Sequence, residues 1–119
     1  MRSVCVDLDG TLAKYDGFKG IHHFGKPFPF AKEWTKDISK RYKIIIYTCR
    51  TNLEINKEEI PYEVEEKDHL SYLVNLVKDW LHKNDITYDT IFCGQGKPSC
   101  AYYIDDKAIN VKNGIYPEI

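Results

Sequence analysis

Short apolar runs alternate along this chain with longer stretches in which apolar residues recur every third or fourth position. Val4-Cys5-Val6 is the first such run. It breaks off at the polar turn Asp7-Leu8-Asp9-Gly10 and reads as a buried strand. Residues 13–28 contain Gly17, Gly20, Gly25 and Pro27, and read as irregular chain or a small hairpin. Pro29 suits the first turn of a helix, and Phe30, Trp34, Ile38 and Tyr42 follow at helical spacing, which predicts a helix over 29–41. Ile44-Ile45-Ile46 is the β-branched run of a strand buried on both faces, ending at Thr48-Cys49-Arg50. Residues 51–67 are polar and acidic, interrupted by Pro61, and read as a solvated loop. Leu70, Leu73, Val74, Leu76, Val77, Trp80 and Leu81 mark an amphipathic helix over 68–84, with Asp68 as its cap. Residues 90–93 and 101–104 read as two further strands, the second closing at Asp105-Asp106, and Asn113-Gly114 marks a turn in the tail.

Strands that alternate with helices predict a parallel sheet covered by helices. In such sheets functional groups gather beyond the carboxyl ends of the strands. Here three strands end in Asp7, Thr48 and Asp105, residue types suited to catalysis. With 119 residues the chain is expected to form one domain, 1–119, around a single core. A formal net charge of −1 offers no broad basic field for nucleic acid or an anionic membrane. No apolar run approaches the roughly 20 residues that span a bilayer, and the first residues do not resemble a signal peptide. The expected location is the cytoplasm. The four cysteines form no C-x-x-C pair and have no zinc-finger spacing to histidine. Cys5, Cys49 and Cys93 lie in or just after apolar runs, and all four cysteines are expected as reduced thiols, with Cys49 buried and inert.

The carboxylates carry the chemistry. Asp7 and Asp9 flank one residue and point differently because the chain turns at Gly10, so one can attack while the other handles protons. Asp105 and Asp106 follow another strand. Carboxylates crowded together repel unless a cation lies among them. Hard oxygen ligands without thiolate or imidazole suit Mg²⁺, which leaves room for a phosphate oxygen. Thr48 offers a hydroxyl and Lys97 a point charge, both suited to phosphoryl oxygens.

Asp7-Leu8-Asp9-Gly10-Thr11-Leu12 after an apolar strand resembles the first signature of the haloacid dehalogenase superfamily. Thr48 resembles its second, Lys97 in Gly96-Lys97-Pro98 its third, and Asp105-Asp106 after Tyr102-Tyr103-Ile104 its fourth. The stretch Tyr103–Ile109 is also similar to small phosphatases assigned to capsule or polysaccharide synthesis. The resemblance runs from residue 2 to about 110 and implies an α/β fold, a three-layer Rossmann-like core with a parallel sheet. The intervals between motifs hold only the predicted helices. The resemblance is therefore to a capless member, with residues 13–28 as a short flap after the first strand. One departure is that residues 94–100 leave no room for the helix that family members commonly place before the fourth strand.

The resemblance implies a Mg²⁺-dependent phosphatase. Asp7 would attack phosphorus and form an aspartyl-phosphate, and Asp9 would protonate the leaving oxygen and then activate water. Asp7, the backbone carbonyl of Asp9, and Asp105 or Asp106 would hold the metal. Thr48 and Lys97 would clamp the phosphoryl group, with Gly10 and Thr11 beside the substrate. A calcium loop would need glutamate at its twelfth position, which is Phe18. Arg50 is open to two roles, binding substrate or pairing with an acidic neighbour. His22-His23 reads as surface. The expected substrate is a small phosphorylated metabolite such as a sugar phosphate. Alternatives are a macromolecular phosphoester, with nucleic acid disfavoured by charge, and a phosphate- or metal-binding module without turnover. The aromatic-rich flap suggests closure over the substrate, completed by a second subunit if the chain is a homo-oligomer.

Overall fold

The computed structural model describes residues 1–93, 98–105, 116 and 119. Its regular elements are β1 (Ser3–Val6), α1 (Ala31–Ile38), β2 (Lys43–Ile46), α2 (Leu53–Asn56), α3 (His69–Lys83), β3 (Thr90–Ile91) and β4 (Tyr102–Ile104), with short 3₁₀ turns around α2 and before α3. The strands form one parallel sheet in the order β3-β2-β1-β4. This is an α/β fold consistent with a Rossmann-like arrangement. Among the described residues no helix is long and apolar enough to cross a membrane.

The β-branched and apolar runs form strands because both faces of the sheet are covered. Val4, Val6, Ile44, Ile46 and Ile104 are fully buried, and Val77, Trp80 and Leu81 of α3 join the same cluster. Burying each such side chain is worth about 1.5–3 kcal/mol, so this cluster is a major stabilising feature of the fold. Helix α1 starts later than the position of Pro29 suggests. Phe30 takes a left-handed conformation, φ 70°, which interrupts the helical path, and α1 runs from Ala31. Its far end also closes early, in turns that bond Arg41 and Tyr42 back to the Ile38 carbonyl.

Three expectations are corrected. The segment 51–67 is not loop throughout: Asn52 caps the four-residue α2 by accepting from the Glu54 N–H at 3.0 Å. Nor are all four cysteines reduced, because Cys5 and Cys100 are joined in a disulfide. The Ala101 N–H donates to the Ser3 carbonyl at 2.8 Å, which draws the approach to β4 alongside β1. That brings the two cysteine Cα atoms to 6.3 Å, within disulfide range. Cys49 and Cys93 are free; Cys49, expected to be buried, is exposed, as is Cys93, because both lie past the ends of their strands.

Candidate active site

The sheet order reverses at β1. Successive strands step to β2 and β3 on one side, and β4 lies on the other. Side chains beyond the carboxyl ends of β1 and β4 therefore face the crevice where α/β sheets bind ligands. Val6 pairs with Ile104, and the Asp7 N–H donates to the Ile104 carbonyl at 3.0 Å. Asp7 and Asp105 thus leave adjacent strands at the same level.

The turn after β1 sets the first carboxylates. The N–H groups of Thr11, Leu12 and Ala13 all point at the Leu8 carbonyl, at 3.2, 2.8 and 3.0 Å. Gly10 has φ 83°, a conformation that suits glycine, and its N–H closes onto the Ala13 carbonyl. The Leu8 N–H donates to Asp7 Oδ1 at 2.7 Å and orients that carboxylate. Leu8 is buried, so its neighbours Asp7 and Asp9 are both partly open to the cavity.

Of the two roles open to Arg50, the structure adopts the acidic partner. Its Nε donates to Asp9 Oδ2 at 2.7 Å and Nη2 to Asp9 Oδ1 at 3.0 Å, a bidentate pair. The guanidinium is 5% exposed and also donates to the carbonyls of His23 and Ile21, at 2.8 and 3.5 Å. Its charge lies 3.9 Å from the centre of the Phe24 ring. A cation this buried requires such compensation. Its effect is to tie the flap backbone to Asp9.

The flap is a fixed wall as well as a hairpin. Lys14 donates to the Lys26 carbonyl and Phe28 to that of Leu12. Glu59 accepts from the Ile21 N–H, Tyr72 bonds His22, and Trp80 Nε1 donates to the Gly25 carbonyl at 3.0 Å. His22 and His23 are exposed, as expected.

Beyond β2, Thr48 caps a 3₁₀ turn, its Oγ1 accepting from the Arg50 N–H at 3.2 Å. Acceptance leaves the hydroxyl hydrogen able to donate to a ligand. Asp7, Asp9, Thr48 and Arg50 line one cavity of about 470 Å³, with Tyr15, Phe18, Cys49, Ile55 and Asn56. Thr11 does not line it. Its side chain is fully buried, and no hydrogen-bond partner meets its hydroxyl among the described residues. Gly10 is likewise not among the lining residues. Lys97 and Asp106 lie outside the described residues.

Tyr47 was not anticipated as a site residue. Its hydroxyl donates to Asp105 Oδ2 at 2.6 Å, and its ring meets that of Tyr103 edge-on. Burial raises its pKa far above the usual tyrosine value, helped by the hydrogen bond to Asp105 and the charges of Asp105 and Asp7. Tyr47 therefore stays a proton donor that orients Asp105. As the last residue of an apolar run, it reads in sequence only as strand.

No protein-family model matches this chain, and no curated protein does. A solved crystal structure, an MCSG target from Vibrio cholerae, is similar to it with 26% identity and a TM-score of 0.56. The likeness covers 92% of this chain and 83% of that one.

Proposed function

We propose that this chain is a Mg²⁺-dependent phosphomonoester hydrolase of the haloacid dehalogenase type, with Asp7 as nucleophile. The observation that carries the reading is the meeting of Asp7, Asp9 and Thr48 in one cavity, with Asp105 beside Asp7 where the strand order reverses. In the first step an Asp7 carboxylate oxygen bonds to phosphorus as the bond from phosphorus to the leaving oxygen breaks. Asp9 supplies the proton that the leaving oxygen takes. In the second step Asp9 takes a proton from water. The water oxygen bonds to phosphorus, the bond to Asp7 breaks, and inorganic phosphate leaves. Both Asp9 oxygens are engaged by Arg50 in the resting arrangement. Asp9 therefore has to release one of them to carry a proton. Thr48 donates its hydroxyl to a phosphoryl oxygen, and the family resemblance gives Lys97 the same task.

The donor set fits a hard divalent cation: Asp7 and Asp105 present carboxylate oxygens from neighbouring strand ends, without thiolate or imidazole. Among the described residues no group of three or more His, Cys, Asp or Glu side chains is arranged for a metal. Asp7 and Asp105 would hold Mg²⁺ with the Asp9 carbonyl, and Asp106 is the further ligand the resemblance suggests. The ion would offset the negative charge shared by the nucleophile and the phosphoryl oxygens. Phosphate release from a panel of sugar phosphates, nucleotides and phosphopeptides tests the reading. Turnover with Mg²⁺ that stops in excess chelator is expected. No release from any of them, or full activity in chelator, would contradict it.

A further inference from the structure

The walls of the cavity around Asp7 and Asp9 bear on the leaving group. Tyr15, Phe18 and Ile55 are 48%, 49% and 63% exposed, and all three line this one cavity. Tyr15 and Phe18 come from the flap and Ile55 from α2. Large apolar side chains exposed singly are ordinary, but three around one mouth form a surface suited to an apolar ligand.

Two polar side chains of the same walls, Arg50 and Asn56, already direct their donors within the protein. Arg50 is the one cation lining the cavity among the described residues, and its guanidinium is bonded to Asp9 and to two flap carbonyls. The Asn56 amide nitrogen donates to the carbonyls of Cys49 and Asn52 at 2.7 and 2.8 Å. A sugar would press hydroxyls against the Phe18 ring and the Ile55 side chain, which offer no hydrogen-bond partner, so those hydroxyls would lose water without replacement. A second phosphate or a carboxylate would meet no cation that is not already paired among those described. A cavity of about 470 Å³ holds a phosphoryl group and one ring.

We propose that the site takes phosphate monoesters of aromatic or other apolar alcohols, with the leaving group between Tyr15 and Phe18 on the flap side and Ile55 on α2. This rests on the phosphomonoesterase reading above, and it replaces sugar phosphate as the substrate class. The reaction is unchanged: Asp7 oxygen bonds to phosphorus, the ester bond breaks, and the alcohol departs with the proton from Asp9.

The test compares benzyl phosphate, ethyl phosphate and glucose 6-phosphate, all esters of primary alcohols, with Mg²⁺ present. kcat/KM for benzyl phosphate is expected to exceed the other two by about tenfold or more. The Phe18→Ala/Ile55→Ser variant is expected to lose about tenfold more activity on benzyl than on ethyl phosphate. Calorimetry with benzylphosphonate and ethylphosphonate, which are not hydrolysed, is expected to show the same preference and its loss in the variant. Equal or better turnover of glucose 6-phosphate would overturn the proposal, as would equal losses on the benzyl and ethyl esters. Inactivity toward all three esters would count against the phosphatase reading alone, and the phosphonates would still decide the ligand class. If the variant instead changed mass in light scattering with its discrimination intact, the patch would be a contact between copies and the proposal would fail.

Discussion

Two cavities of nearly equal volume flank the flap, about 480 Å³ against α3 and about 470 Å³ at the strand ends. The first is walled by His22, Lys26, Asp79, Trp80 and Lys83, the second by Asp7, Asp9, Thr48 and the apolar trio Tyr15, Phe18 and Ile55. Volume does not separate them. What does is the origin of their polar groups. The charged side chains of the α3 cavity sit on the exposed face of a helix and on the flap, where charge is ordinary. Those of the other cavity follow the ends of β1 and β2, next to Asp105 at the end of β4, where the sheet holds them at fixed spacing. Arg50, Phe24 and Trp80 connect the two sides: the guanidinium lies over the Phe24 ring, which stacks on Trp80 with centroids 6.3 Å apart.

If chemistry belongs to the strand-end cavity alone, substitutions on its two sides differ sharply. Asp9→Asn is expected to lower kcat by at least about 100-fold, the scale of a general acid-base group. Lys83→Ala, in the α3 cavity, is expected to leave kcat/KM within about twofold. Steady-state kinetics on one substrate checks both, and similar losses would erase the distinction.

The flap is the wall they share, and Gly25→Ala strikes it. A Cβ at Gly25 would lie 1.9 Å from the Lys14 carbonyl oxygen, so the hairpin must open. Overpacking of this kind costs about 1–3 kcal/mol. A fall in Tm of about 5 °C or more is expected. Loss of activity should accompany it, because the displaced backbone carries the carbonyls that hold Arg50. A Tm equal to wild type would show that the flap is not anchored as described.

The smallest effect concerns pH. Tyr47 and Tyr116 are both raised above the ordinary value of 10.0, chiefly by burial. Their stabilising contribution is complete below that value. As pH climbs past it, the unfolded chain loses these protons while the folded chain keeps them, and stability falls. Tyr47→Phe removes one such contribution, at a cost of about 1 kcal/mol near neutrality for the lost hydrogen bond to Asp105. It is expected to flatten the decline above pH 10. Denaturant titrations across that range measure it, and an unchanged slope would show that Tyr47 does not contribute.

The main elements were legible because their signals are local. The β-branched run at Ile44 to Ile46 and the apolar stripe from Leu70 to Leu81 each fix an element within a residue or two of its observed limits. Asp7 and Thr48 were legible as strand ends, and Asp9 as the partner across a glycine turn. What escaped is either too short to show a period or depends on contacts distant in sequence. Four-residue α2 is too short for periodicity to reveal. The Cys5–Cys100 bond requires knowing that β4 lies beside β1. Tyr47 acquires its role only when Asp105, 58 residues away, is brought beside it. Arg50 could not be decided between substrate and carboxylate until the flap folded over it.

As the proposed nucleophile, Asp7 becomes phosphorylated during turnover. Acid quenching in the steady state, borohydride reduction of the trapped acyl phosphate and peptide mass spectrometry test it directly. Asp7 is expected to be reduced to homoserine in the wild-type chain with Mg²⁺ and substrate. No such product is expected in Asp7→Asn, which should keep its fold and have no turnover. Modification at another carboxylate, or an Asp7→Asn variant that still releases phosphate at more than a few per cent of the wild-type rate, would contradict it.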